Sequence, residues 1–236
     1  MNYLALLMGE EEGPEWVPGT PEFEASVARH EAFWEQSQSA IVGGGALHPT
    51  SEAVTIRNDG HGRLVTDGPF AELAEVIGGF YVLEADDLDS VLELVRAIPD
   101  TASGHTEVWP LAEWSPASDT SGLWLALIRE PAADATPPGT AEWERGAAEH
   151  REFGEWAGDA IRGGGAVYPP RAATTASVRD GELLLSDGPY TESVEVANGL
   201  YVLRAPDRDT AVSLASRIPL GERGCVELRR IVDETG

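Results

Sequence analysis

Val65-Thr66-Asp67-Gly68-Pro69-Phe70-Ala71-Glu72 is followed by Gly79-Phe80-Tyr81-Val82-Leu83, apolar at every position after its glycine, and the pair of segments occurs twice. The second copy reads Leu185-Ser186-Asp187-Gly188-Pro189-Tyr190-Thr191-Glu192, then Gly199-Leu200-Tyr201-Val202-Leu203. A strand with one wet face alternates apolar and polar residues, so a strand that is apolar throughout has both sheet faces covered. Asp-Gly-Pro beside it reads as a turn, in which the Asp carboxylate accepts backbone N–H bonds and Pro fixes the exit.

The repeat extends over the whole chain. Gly43-Gly44-Gly45-Ala46 returns as Gly163-Gly164-Gly165-Ala166 (163 − 43 = 120), and the same shift carries His30 onto His150 and Glu107 onto Glu227. Ala112 to Gly122 is small, polar and interrupted by Pro116, as a linker is. The expected division is therefore a first domain over 1–115, a linker over 116–122 and a second domain over 123–236.

Each copy reads in the same order. An apolar strand (about 2–8, then 123–129) precedes a helix with Phe23, Val27, His30, Trp34 and Ile41 on its inward face, and Trp143, Ala147, His150, Gly154, Ala157 and Ile161 in the second copy. The triple glycine is expected to end that helix and open an extended segment. A hairpin follows over Ala53–Thr66, with a shorter turn at Arg179-Asp180-Gly181 in the second copy. Next come the apolar strand, a helix capped by Asp87 or Asp207, and a last strand from His105 or Cys225. Strand, helix, strand, hairpin, strand, helix, strand is the split βαβ plan. The predicted fold is α+β: two ferredoxin-like (split βαβ) repeats. Because helices cover one sheet face only, the two sheets are expected to pack together as a pseudo-dimeric α+β barrel enclosing a cavity.

Asp67-Gly68-Pro69-Phe70 with Glu72, Glu75, Gly78-Gly79-Phe80-Tyr81 and Ala85-Asp86-Asp87-Leu88-Asp89 resembles the DGPF signature of the YCII-related family. The second copy departs from it at Tyr190 and Asn198, and both copies lack a lysine before the second Glu, having Ala74 and Val194. The resemblance implies a dimeric α+β barrel. It also implies small enzymes with a His/Asp pair in some members, whose His has no matching motif position here.

The chain contains 16 Arg and no Lys, against 41 acidic residues, for a net charge of −25. That field repels nucleic acid phosphates and anionic lipid, so neither is an expected partner; a small-molecule ligand is. One cysteine, Cys225, excludes an internal disulfide and a cysteine zinc cluster and suits a reducing cytoplasm. The eight-residue apolar start, Met1 to Met8, is too short to span a bilayer. No cofactor and no metal are expected; the chain is expected to work as a monomeric pseudo-dimer or as a homo-oligomer.

The candidate catalytic residues are Asp67 and Asp187, either holding their turns through backbone amides or serving as acid or base, and His30 and His150. An inward His is a hydrogen-bonded core residue or, with a carboxylate such as Asp67 behind it, a general base. The candidate substrate contacts are Arg57 and Arg179, Glu72 and Glu192, and Tyr81 and Tyr201. An arginine in so acidic a chain either grips a substrate carboxylate or neutralises Glu107 or Glu227. Glu72 with Glu75, and Glu192 with Glu195, form carboxylate pairs that share a proton or cation, or merely face solvent. Tyr81 and Tyr201 are core residues with a polar tip. Two functions stay open on these residues: an acid–base enzyme of lyase or isomerase type, and a binding or regulatory module whose DGPF residues are structural.

Overall fold

A computed structural model describes residues 1–17, 19–58, 62–69, 75–116, 121–190 and 195–233. Its elements are β1 (Asn2–Gly9), α1 (Pro21–Ser37), β2 (Ile41–Ala46), β3 (Val54–Asn58), β4 (Arg63–Asp67), β5 (Val76–Glu84), α2 (Leu88–Arg96), α3 (Pro99–Ser103) and β6 (His105–Ser115). The second repeat supplies β7 (Leu123–Pro131), α4 (Ala141–Ala157), β8 (Ile161–Val167), β9 (Thr174–Arg179), β10 (Glu182–Asp187), β11 (Glu195–Arg204), α5 (Arg208–Ala215) and β12 (Cys225–Arg230). The fold is α+β with antiparallel sheets.

The helices start where the sequence places caps. Thr20 and Thr140 accept a hydrogen bond from the N–H three residues on, Phe23 at 3.1 Å and Trp143 at 3.2 Å. Asp87 and Asp207 do the same for Ser90 and Thr210, and these bonds hold both carboxyls below their usual range. No helix among the described residues is long and apolar enough to cross a membrane.

The chain forms two compact units, and neither is one repeat. The first comprises Met1–Ala46, Leu73–Pro110 and, from the second repeat, Ala173–Tyr190; the second comprises Leu47–Glu72, Leu111–Ala172 and Thr191–Gly236. In the first unit the strand order is β2-β5-β1-β6-β9-β10, every neighbour antiparallel. In the second it is β8-β11-β7-β12-β3-β4, with the end of β6 (Leu111–Ser115) added beside β8. Each unit's sheet is thus completed by the hairpin of the other repeat.

One face of the first unit's sheet carries Tyr3, Ala5, Leu7, Tyr81 and Leu83 against Phe33 of α1, Val91, Leu92 and Val95 of α2, and Ile98. On the alternate face Leu4, Leu6, Phe80, Val82 and Trp109 are also buried, so β5 is hidden on both sides as its composition requires. The second unit repeats this, with Trp124, Ala126, Ile128 and Leu203 against Phe153, Ala211 and Ala215, and Leu125, Leu127, Leu200 and Val202 buried on the other face.

Two local expectations are corrected. The buried side chains of α1 are Phe33 and Ser37, while Val27 and Trp34 are exposed. The inward arc is centred on 30, 33 and 37, which share a face at steps of three and four, and the aromatic at 34 falls at its edge. The triple glycine lies in an extended segment as expected, inside β2 and paired with β5, but the helix ends before it, at Ser37. A Cβ at Gly44 would stand 2.7 Å from the Phe80 carbonyl and 2.8 Å from the Tyr81 ring, and Gly44 has φ +154. Gly164 would meet the Tyr201 ring at 3.0 Å. The glycines make room for a tyrosine.

Candidate functional site

Those tyrosines organise one repeated cluster on the helix-covered face. His30 Nδ1 lies 3.2 Å from the Tyr81 hydroxyl, and His150 Nδ1 lies 2.9 Å from that of Tyr201. His30 also has Asp100 Oδ2 at 2.9 Å from Nε2, a charge contact without hydrogen-bond alignment. The second repeat has Leu220 in place of Asp100. Burial lowers the pKa of His150 and pushes Tyr201 up to about 12, with Glu113 adding to the latter. His30's neighbours are therefore Tyr81 and Asp100, the one from the sheet and the other from the start of α3, while Asp67 belongs to the second unit.

Asp67 stands at the end of β4 with its side chain 87% exposed, paired with Arg208; Asp187 is exposed at the matching end of β10. What holds the turn is the glycine. Gly68 N–H donates to Ala53 O at 2.9 Å and its carbonyl accepts from Thr55 Oγ1 at 3.0 Å; Gly188 does the same with Ala173 and Thr175, at 2.8 Å each. Both glycines have positive φ, +93 and +80, which favours Gly there. Phe70, Glu72 and Glu192 lie outside the described residues.

The turn residue after the second motif leads to another cluster, on the opposite face of the first unit's sheet. Tyr190 N–H donates to Glu107 Oε1 at 3.2 Å, and Trp109 Nε1 donates to Glu107 Oε2 at 3.1 Å. Tyr190's ring lies over His105, centroids 4.2 Å apart. His105 is 3% exposed, with Nδ1 3.6 Å from Glu75 Oε2. Its Nε2 is buried and has no hydrogen-bond partner among the described residues. Burial first, and then the charge of Arg179, lower the His105 pKa, against the opposing pull of Glu107. Arg179 itself donates to the carbonyls of Ala102 and Gly104. It lies two residues beyond Ser177, the register equivalent of Arg57, because Thr175 faces Glu107 as Thr55 faces Glu227.

In the second unit the same sheet positions carry different residues. Cys225 replaces His105 and lies between Arg57 of β3 and Arg129 of β7 in one cross-strand row. Glu195 replaces Glu75, with Oε2 3.5 Å from the Cys225 sulfur. Burial and Glu195 push the Cys225 thiol up to about 12. Glu227 is held by Arg129 and Arg229, each at 3.3 Å, so its partners differ from the expected Arg57. Among the described residues no three His, Cys, Asp or Glu side chains group as metal ligands. An open cleft of about 470 Å³ in the first unit, lined by Met1, Ser39, Ala40, Glu84, Asp86 and Leu94, includes none of these clusters.

The pattern of the YCII-related domain matches residues 1–115 and again 121–235. The chain belongs to the YCII-related family. It holds two tandem YCII-related domains, and their sequence limits cross the limits of the compact units because the hairpins are exchanged. An uncharacterised protein of Rhizobium meliloti (strain 1021) is 39% identical over 72 residues, 30% of this chain and 58% of that protein. The chain thus spans just over half the length of that relative.

His105 and Glu75 are the residues least legible in the sequence of this YCII-related chain. Glu75 is the second member of the E-x-x-E pair, and in both copies that member lies beside the first residue of the last strand. That coincidence is the available signal.

Proposed function

We propose that the first unit of this YCII-related protein carries a small-molecule acid–base site in which His105 is the base and Glu75 orients it. The observation that carries this reading is the buried His105, with a carboxylate facing one nitrogen and the other nitrogen unpartnered among the described residues. The carboxylate favours the proton on Nδ1, which leaves the Nε2 lone pair to take a proton from a carbon or oxygen acid. Glu75 then stabilises the imidazolium. Glu107 is engaged by Tyr190 and Trp109, so it positions the turn and does not react. Leu4, Leu6, Met8 and Phe80 on the same face suit a ligand with an apolar body. The reaction class is lyase- or isomerase-like proton abstraction.

The test follows hydrogen-to-deuterium exchange in D₂O, by NMR, across a panel of small carbonyl carbon acids. The wild type is expected to exchange at least one of them and His105→Gln to lose about 10²–10⁴-fold. Glu149→Gln, on the exposed side of α4, is expected to keep the rate. Activity is expected to rise with pH through a midpoint below 6.5 and then level off, because the pKa of the base is lowered and its neutral form is the active one. No exchange, or equal rates in His105→Gln, overturns the proposal.

A second acid–base reading is favoured by Asp100 beside His30, the two side chains being 25% and 29% exposed; it expects Asp100→Asn to abolish the exchange. The non-catalytic alternative is supported by the backbone bonds of Gly68 and Gly188, which make the DGPF residues structural. The finer architecture, two ferredoxin-like repeats closed as a pseudo-dimeric α+β barrel, is supported by the order β2-β5-β1-β6 and by the exchanged hairpins. A net charge of −25 supports a small-molecule partner over nucleic acid or membrane, and a lone buried thiol supports a reducing, cytoplasmic setting.

A further inference from the structure

The positions of the second unit that correspond to the His105 cluster gather the arginines of an acidic chain. Arg57, Cys225 and Arg129 form one row across β3, β12 and β7, and Glu227 and Arg229 continue along the same face of β12. Arg229 is 1% exposed and fully engaged: Nε and Nη2 donate to His48 O and Nη1 to Glu227. Arg129 differs. Its side chain is 12% exposed, its Nη2 shares Glu227 with Arg229, and its buried Nε has no partner among the described residues.

The fold does not require these charges. At the positions equivalent to Arg129, Arg229 and Arg57 the first unit has Met8, Trp109 and Ser177, all neutral, on the same sheet register. Burying a guanidinium is unfavourable unless it is paired and hydrogen-bonded. Arg129 and Arg229 share the one carboxylate of Glu227, and the charges of Arg129 and Arg57 act on Glu195. Arg57 and Glu195 are only partly buried, so this end of the cluster is reachable from solvent.

We infer that the second unit binds a small carboxylate anion at Arg129, with Arg57 across the Cys225 row. The two carboxylates already present penalise a doubly charged phosphate more than a monoanion, which decides between the two oxyanions. The site is independent of the acid–base reading of the first unit, so the duplicated units have diverged, one toward proton transfer and one toward anion binding.

The test is a melting-temperature titration of the full chain with acetate against chloride at matched ionic strength, with inorganic phosphate as a second probe. The wild type is expected to show a saturable rise in acetate and a weaker one in phosphate. Arg129→Met, which installs the first unit's residue, is expected to weaken acetate binding at least about tenfold, roughly 1.4 kcal/mol, while His105→Gln leaves it unchanged. If Arg129→Met does not fold by circular dichroism, Arg129→Gln carries the same expectation. A wild type with no saturable acetate effect, or an effect equal in the Arg129 variants, overturns the inference. Tighter binding of phosphate than of acetate overturns the carboxylate assignment.

Discussion

Residues 1–115 expressed alone are expected to have no folded monomer. The first unit's sheet takes β9 and β10 from the second repeat, and without them Thr106, Glu107 and Val108 keep their β1 partners but lose those on the β9 side. In the same fragment β3 and β4 lose β12, so Val54 and Ile56, both 0% exposed in the whole chain, lose Val226 and Leu228. Each buried aliphatic side chain is worth about 1.5–3 kcal/mol, so a few losses equal the whole stability of a small domain. The outcome expected by circular dichroism and light scattering is an unfolded chain, or a dimer in which two fragments trade hairpins and whose helicity rises with concentration. A monomer with a cooperative, concentration-independent melt would contradict the exchange.

Glu130→Gln is expected to raise the melting temperature by about 4–8 °C at pH 8 and to change nothing below pH 4.5. Burial, helped by Asp134, pushes the Glu130 carboxyl from 4.5 up to about 7. The folded chain therefore binds more protons than the unfolded one between these values. Stability falls as pH rises through the window and levels off above 7. The full shift corresponds to about 3 kcal/mol; the group is partly exposed, and solvent screening reduces this to about 2 kcal/mol. For a chain of this length each kcal/mol is about 2–4 °C. The amide removes the ionisation and with it the loss. His105 and His150, whose pKa values are lowered, act with the opposite sign: their contributions are lost as pH falls through 6.5. Both are present in wild type and variant, so they cancel in the difference. A variant no more stable than wild type at pH 8 would sink this account of Glu130.

The sequence makes the elements legible and leaves their partners hidden, for identifiable reasons. Asp87 and Asp207 announce helix starts because a cap is a local event, settled within three residues. Phe80 to Leu83 announces a strand buried on both faces because burial is written in composition. The destination of the hairpin is written in neither. Val54 and Ile56 satisfy the same alternation on either unit's sheet, so only long-range register assigns β3 to β12. Arg57 and Arg179 do share strand facing, yet register makes Ser177, not Arg179, the equivalent of Arg57. The carboxylate partner of His30 is hidden for the same reason. Naming it needs a distance, and the carboxylate that meets His30 comes from Asp100, far along the chain on α3. His105 is hidden because its partner Glu75 lies across the whole of β5, α2 and α3 in sequence.

The exchange of hairpins underlies both site proposals, and Cys225 allows it to be read directly because it is the chain's one cysteine. Arg57 is its cross-strand partner, at the Cα separation of about 4.5–5.5 Å that a disulfide accepts. Arg57→Cys is expected to form an intramolecular disulfide between the introduced thiol and Cys225 under mild oxidation, visible by peptide mass mapping, and Ser177→Cys is expected to form none. If the hairpins instead stayed with their own repeats, Ser177→Cys would cross-link to Cys225 and Arg57→Cys would not.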